Sequence, residues 1–260
     1  MKTTGCHPIP WRPGALARVL AVAAALASFG CGGDSNPTNP TPQTTDFKGT
    51  LVGEVGEGSS GVVTVTLPAS AAASISTAGS AQLAAARAFE LTSAPVAVTG
   101  TLALTGGGTV PLSGTYDPVA NPQIVLAGGG YGMTGNPTAT NGVFSGSATF
   151  PDGKTGFWTV SANAATVRVF CGTYTSSQGQ GGGTWNVVLD ANNNLTGAAS
   201  AVGLLQGTFT PGSNAISVTY AGGTATGTLD PATGGGSGTY DAPGAGEGDA
   251  GDWAANTGGC

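Results

Sequence analysis

Leu112–Pro118 reads Leu-Ser-Gly-Thr-Tyr-Asp-Pro, and Leu205–Pro211 reads Leu-Gln-Gly-Thr-Phe-Thr-Pro, an offset of 93. In an extended chain, residues i and i+2 share a face. Leu112, Gly114 and Tyr116 then stand on one side, with Ser113 and Thr115 on the other; Leu205, Gly207 and Phe209 repeat the arrangement. Gly-Thr followed by an aromatic residue or Leu recurs at Gly49, Gly100, Gly114, Gly172, Gly183, Gly207, Gly227 and Gly238. Glycine lets a strand bend sharply, and a neighbouring ring can cover the bare backbone. Coiled strands with a Gly/aromatic inner face and a Thr/Ser outer face suit a small closed barrel.

Working outward, the same style of strand runs from Phe47 to the end. The candidate strands are 48–54, 61–67, 96–104, 110–116, 123–127, 142–150, 156–161, 166–175, 183–189, 195–201, 204–210, 215–220, 224–229 and 236–240. Gly-, Asn-, Asp- and Pro-rich turns separate them. A spacing of about ten residues per strand predicts an all-β fold of antiparallel meander units, closed as barrels or folded as sandwiches. Further matches extend the repeat. Ser145-Gly146 corresponds to Ser237-Gly238, Gly156-Phe157-Trp158 to Gly251-Asp252-Trp253, and Phe47-Lys48-Gly49-Thr50-Leu51 to Phe170-Cys171-Gly172-Thr173-Tyr174. Two units follow, 47–162 and 163–260, with an insertion at about 69–99 in the first. Two small barrels, two sandwiches and one merged barrel all fit this pattern.

The insertion is the one helical candidate. Residues 71–88 hold nine alanines, with Ile75, Leu83 and Phe89 near a helical period, and alanine is the best helix former. Such a helix could cap or plug a barrel, or pack outside the sheet. Elsewhere 47 glycines disfavour helix, and they lack the three-residue period of collagen. With 40% hydrophobic and 8% charged residues, the chain lacks the signature of disorder.

The N-terminus reads as an address. Lys2, Arg12 and Arg18 precede an apolar run, Val19–Phe29, too short to span a bilayer but suited to a signal-peptide core. Ser28-Phe29-Gly30-Cys31 follows, a small residue just before a cysteine. This segment, residues 1–31, resembles the lipobox of bacterial lipoproteins; no family resemblance extends to the mature domain. The resemblance implies a signal peptide over 1–30, cleavage before Cys31 and acylation of Cys31. It departs from the family pattern at Ser28, where Leu is usual. Ordinary secretion with cleavage after Ala25-Leu26-Ala27 is the rival reading. Residues 31–46, with prolines at 37, 40 and 42 and no large apolar side chain before Phe47, read as a flexible lipid-anchored spacer.

The cysteine count is consistent with that resemblance. Of Cys6, Cys31, Cys171 and Cys260, the first leaves with the signal. If Cys31 is acylated, Cys171 and Cys260 remain to pair in an oxidising envelope. Their placement favours closure: Cys171 lies in the first strand of the second unit and Cys260 ends the chain. First and last strands are neighbours in an up-and-down barrel, whereas in an open meander they lie at opposite edges.

Loss of the leader also removes the only histidine, His7, and leaves Lys48, Arg87, Lys154 and Arg168 against thirteen acids, a net charge of −9. Nucleic acid and anionic lipid surfaces are excluded as charge-driven partners. Ser-His-Asp and Cys-His catalysis and the usual zinc sites are excluded with the histidine. Gly128-Gly129-Gly130 and Gly181-Gly182-Gly183 lack the lysine of a phosphate loop. Glu54 with Glu57, and Asp249 with Asp252, are the candidate carboxylate pairs, and both read as solvated loop acids. Weak calcium candidates are Asp190, Asn192 and Asn194, and Glu247, Asp249 and Asp252; neither cluster has EF-hand spacing, and Asx residues make hairpin turns unaided. No cofactor is expected. The aromatics Trp158, Trp185, Trp253, Tyr116, Tyr174, Phe209 and Tyr240 read as core, although glycine on their face leaves room for an internal cavity.

These readings lead to a non-enzymatic lipoprotein of the bacterial cell envelope, anchored to the outer membrane by lipid, whose β units act as an interaction module. The alternative is a lipocalin-like carrier of a small apolar ligand. A membrane-spanning barrel is a third possibility, but its strands should run about nine to eleven residues.

Overall fold

The computed structural model describes residues 43–53, 60–71, 94–138, 142–243, 249–257 and 260. The leader, Cys31, most of the spacer, the Ala-rich stretch beyond residue 71, Glu54, Glu57 and Glu247 lie outside them. Among the described residues, sixteen strands form two closed antiparallel barrels of eight. The first contains β1 (Thr44–Gly53), β2 (Ser60–Pro68), β3 (Val96–Leu104), β4 (Thr109–Tyr116), β5 (Ile124–Gly128), β6 (Tyr131–Pro137), β7 (Val143–Thr149) and β8 (Thr155–Ala162). The second contains β9 (Arg168–Ser176), β10 (Gly182–Leu189), β11 (Asn194–Ala199), β12 (Gly203–Thr210), β13 (Ala215–Tyr220), β14 (Gly223–Leu229), β15 (Gly236–Ala242) and β16 (Asp249–Ala255). Each strand pairs with its sequence neighbour, and β1 with β8 and β9 with β16 close the rings.

The barrels share one register. Gly49 opposite Val63 corresponds to Gly172 opposite Trp185, Gly114 opposite Leu126 to Gly207 opposite Val218, and Gly135 opposite Gly146 to Gly227 opposite Gly238. At the seams, Leu51 opposite Trp158 corresponds to Tyr174 opposite Trp253. The repeated sequence is therefore repeated strand for strand.

Two strands were not expected from sequence. β6 and β16 are rich in Gly, Asn and Asp, which disfavour strands in isolation. Each is held by ladders on both sides and by an inward apolar side chain, Met133 in β6 and Trp253 in β16. The first barrel also starts earlier than Phe47. Thr44–Asp46 already pair with Thr66–Pro68, so the spacer read as 31–46 ends before Thr44.

Inward positions follow the expected alternation. Phe47, Leu51, Val63, Leu102, Ile124, Met133, Phe144 and Trp158 fill the first barrel and are fully buried. Glycine makes the tight coiling possible. At Gly146 a Cβ would lie closer to the Thr134 carbonyl than any real contact allows, and it would crowd the backbone of Gly135. The Gly129-Gly130 turn joining β5 to β6 has positive φ at both residues, 56° and 86°, as a two-residue primed hairpin requires.

Outward positions are mostly Thr and Ser. Polar-out, apolar-in is the reverse of a membrane-spanning barrel, whose lipid face is apolar. The large apolar side chains exposed among the described residues are Val119, Val125 and Leu204, scattered singly. An exception to solvent-facing polarity is the contact between the barrels. Outer-face residues Thr50, Val52 and Thr159 of β1 and β8 are buried, as are Asn186, Val188, Thr196 and Ala198 of β10 and β11. Asn186 donates its side-chain amide to Thr50 Oγ1 at 2.7 Å and to the Leu51 carbonyl at 3.3 Å, and Thr50 donates to the Gly61 carbonyl. Buried amides need such partners.

Cys171 and Cys260 form a disulfide with Cα atoms 5.3 Å apart, 89 residues apart in sequence. It ties the chain terminus to β9, beside the β9–β16 seam, where Asn256 also donates to the Cys171 carbonyl. Closing a loop of that length is worth about 4–5 kcal/mol in the chain-entropy model. The reduced chain is expected to lose roughly that much stability, read as a lower urea midpoint with a steeper slope, because the freed unfolded chain exposes more surface. An unchanged midpoint would mean that the ladder holds the seam alone.

Candidate functional site

The interiors differ although the register does not. At one end of the first barrel Tyr131 and Phe150 meet edge to face, ring centroids 5.6 Å apart, in the same core cluster as Met133 and Leu102. Counting from the shared Gly–Gly pairs, the positions corresponding to Tyr131 and Phe150 are Gly223 and Ala242. Those corresponding to Met133 and Leu102 are Ala225 and Ala199. The second barrel thus lacks the side chains that stopper the first. Its own additions are Tyr174 for Leu51, Trp185 for Val63, Tyr220 for Gly128 and Tyr240 for Ala148. These rings line the wall.

What remains is a cavity of about 480 Å³ at that end of the second barrel. At about 30 Å³ per water it has room for roughly sixteen waters, within the range of small-molecule sites. Val187, Leu205, Ile216, Val218, Trp185 and Trp253 form its apolar wall; Tyr174, Tyr220, Tyr240, Ser200, Gln180 and Asp249 bring polar atoms to its mouth. Trp185 and Trp253 meet edge to face at 5.4 Å, and Tyr174 and Tyr240 at 5.6 Å. Both indoles are anchored, Trp185 Nε1 to the Thr173 carbonyl at 3.1 Å and Trp253 Nε1 to the Thr226 carbonyl at 3.0 Å.

The mouth tyrosines are tethered too. Tyr174 donates to the Ser200 carbonyl at 2.6 Å, Tyr240 to Asp249 Oδ2 at 2.8 Å, and Tyr220 to the Asp241 carbonyl at 3.3 Å. Asp249 Oδ1 accepts from Ser176 Oγ at 2.5 Å. The Ser176 and Tyr240 hydroxyls hold the Asp249 carboxyl below its ordinary value. Burial pushes all three tyrosines above 10.0, and the charge of Asp249 adds to the rise in each. A raised folded-state value means stability that is complete below pH 10 and is lost as pH climbs through the folded values. Ionisation followed near 295 nm is therefore expected to lag behind that of the urea-unfolded chain, with the urea midpoint falling above pH 10. Coincident titration curves would contradict the tethered mouth.

The sequence candidates fall out differently from their grouping in the chain. Asp249 and Asp252 are not loop acids but lie on β16. With Gly251 and Trp253 facing inward, strand parity puts Asp249 at the cavity and Asp252 on the outer face. They cannot act as a pair. Asp190 accepts from the backbone N–H groups of Asn192 and Asn194 and from the Asn194 side-chain amide, all at 2.8–2.9 Å, which is an Asx-type hairpin turn. Among the described residues no three of His, Cys, Asp and Glu converge as metal ligands, and no helix is long and apolar enough to cross a membrane. Tyr220 and Ser176 were missed, although their parity with Val218 and Tyr174 would have placed both on the inner face. No family model, curated protein or solved structure matches the chain.

Proposed function

We propose that the second barrel is a calyx for a small, largely apolar molecule, carried by a non-enzymatic lipoprotein held at the bacterial cell envelope through acylated Cys31. The cavity carries this reading: of the two expectations raised by the sequence, carrier and surface interaction module, it favours the carrier. The first barrel, filled and docked along β1 and β8, serves as a rigid support. The absence of histidine from the chain after Cys31, with Asp249 as the one carboxylate among the described residues that line the cavity, supports binding without turnover. The Pro-rich composition before Thr44 suits a tether to the membrane, and the outer membrane is the proposed anchorage.

Native mass spectrometry of the protein released gently from its own membranes is expected to show one apolar molecule per chain. A chain isolated empty that also fails to take up N-phenyl-1-naphthylamine overturns the reading. The anchor is tested separately: fatty-acid label should enter the wild type and not Cys31→Ser.

A further inference from the structure

Among the described residues, the charge at the mouth of the cavity has no cationic counterpart. Asp249 is the one carboxylate among them that lines the cavity, and no described Lys, Arg or His lines it. Each Asp249 oxygen accepts one hydroxyl, from Ser176 or Tyr240, and a carboxylate oxygen can accept more than one donor. Around it stand the rings of Tyr174, Tyr220 and Tyr240, with Trp185 and Trp253 further along the wall. Ring faces are the negative side of the aromatic quadrupole. A carboxylate among several aromatic rings favours a cation, which the charge attracts and a ring can hold, and opposes an anion. An uncharged ligand would remove water from Asp249 and return nothing for it. The chain after Cys31, at net −9, adds a long-range attraction of the same sign.

Resting on the calyx reading above, we infer that the ligand is a cationic amphiphile, a quaternary or protonated amine. Its head sits between Asp249 and the mouth tyrosines, and its apolar body lies against Val187, Val218 and Trp253. The site supplies a full charge, a set of aromatic rings and an apolar pocket. Ser176 and Tyr240 act as positioning residues that fix the carboxylate toward the mouth.

The test compares three probes of similar shape on the full-length mature chain: benzyltrimethylammonium, its carbon isostere neopentylbenzene, and the anion phenylacetate. Tryptophan fluorescence and calorimetry report binding. The cation is expected to bind about tenfold more tightly than the isostere, with the anion weaker than both. In Asp249→Asn the cation-to-isostere ratio should fall by about tenfold. Should that variant not fold, judged by near-ultraviolet dichroism, Tyr220→Leu removes a ring without touching charge and should lower the ratio roughly threefold. Equal affinities for cation and isostere, or a preference for the anion, overturn the head-group assignment and leave the calyx standing. Failure of all three probes and of the neutral naphthylamine dye overturns both.

Discussion

Ala199→Leu, Ala225→Met and Ala242→Phe introduced together are expected to abolish ligand uptake by the second barrel, with a loss in affinity of at least about a hundredfold. Leu and Met are the residues that the first barrel carries at the first two positions, and Phe150 stands at the third. The three changes add about twelve heavy atoms. Set at the positions that close the corresponding end of the first barrel, they occupy a large share of a cavity of about 480 Å³. What remains is too small for a ligand-sized molecule. Stability should hold or rise, because each buried methylene contributes about 0.8 kcal/mol while overpacking costs about 1–3 kcal/mol. Dye titration and urea unfolding of the same sample read both effects. A variant that stays folded and still binds would place the ligand outside this cavity.

The barrel itself was legible because its rule is local. Gly-Thr-aromatic triplets fix which side of a strand faces in, and Leu51, Leu102, Tyr116, Phe209 and Leu229 are all buried as that rule requires. The seam disulfide was legible from closure, which makes the first and last strands of the unit neighbours. The cavity was not, since it depends on which side chains meet across strands. Tyr131 matters only because Phe150 lies against it, and Gly223 and Ala242 matter only as their counterparts. That correspondence needs the register, and the register needs β6 and β16, whose composition hid them. Asp249 illustrates the cost of the missed strand: read as a loop acid it pairs with Asp252, whereas on β16 the two part to opposite faces. Thr50 falls on the expected Thr/Ser outer face, and only the docking of two barrels makes it and Asn186 buried partners.

Trp158 and Trp253 occupy the same place in the two barrels, and their removal is expected to differ for a single reason. Each lies over a Gly–Gly pair, Gly135 with Gly146 or Gly227 with Gly238, and each indole donates to the carbonyl of a Thr in the strand two places away, Thr134 or Thr226. Trp158 is fully buried in a filled interior. Trp158→Ala opens a closed void and strips a hydrogen bond, so a loss of about 4–6 kcal/mol is expected. Trp253 borders a cavity that already reaches solvent at its mouth. Trp253→Ala enlarges that space rather than creating one, and water reaches the freed carbonyl. Its loss should be about 2–3 kcal/mol, together with the loss of ligand binding. Urea unfolding of the two variants measures the difference directly. Equal losses would mean that the second barrel is as tightly filled as the first, and the calyx would have no interior to offer.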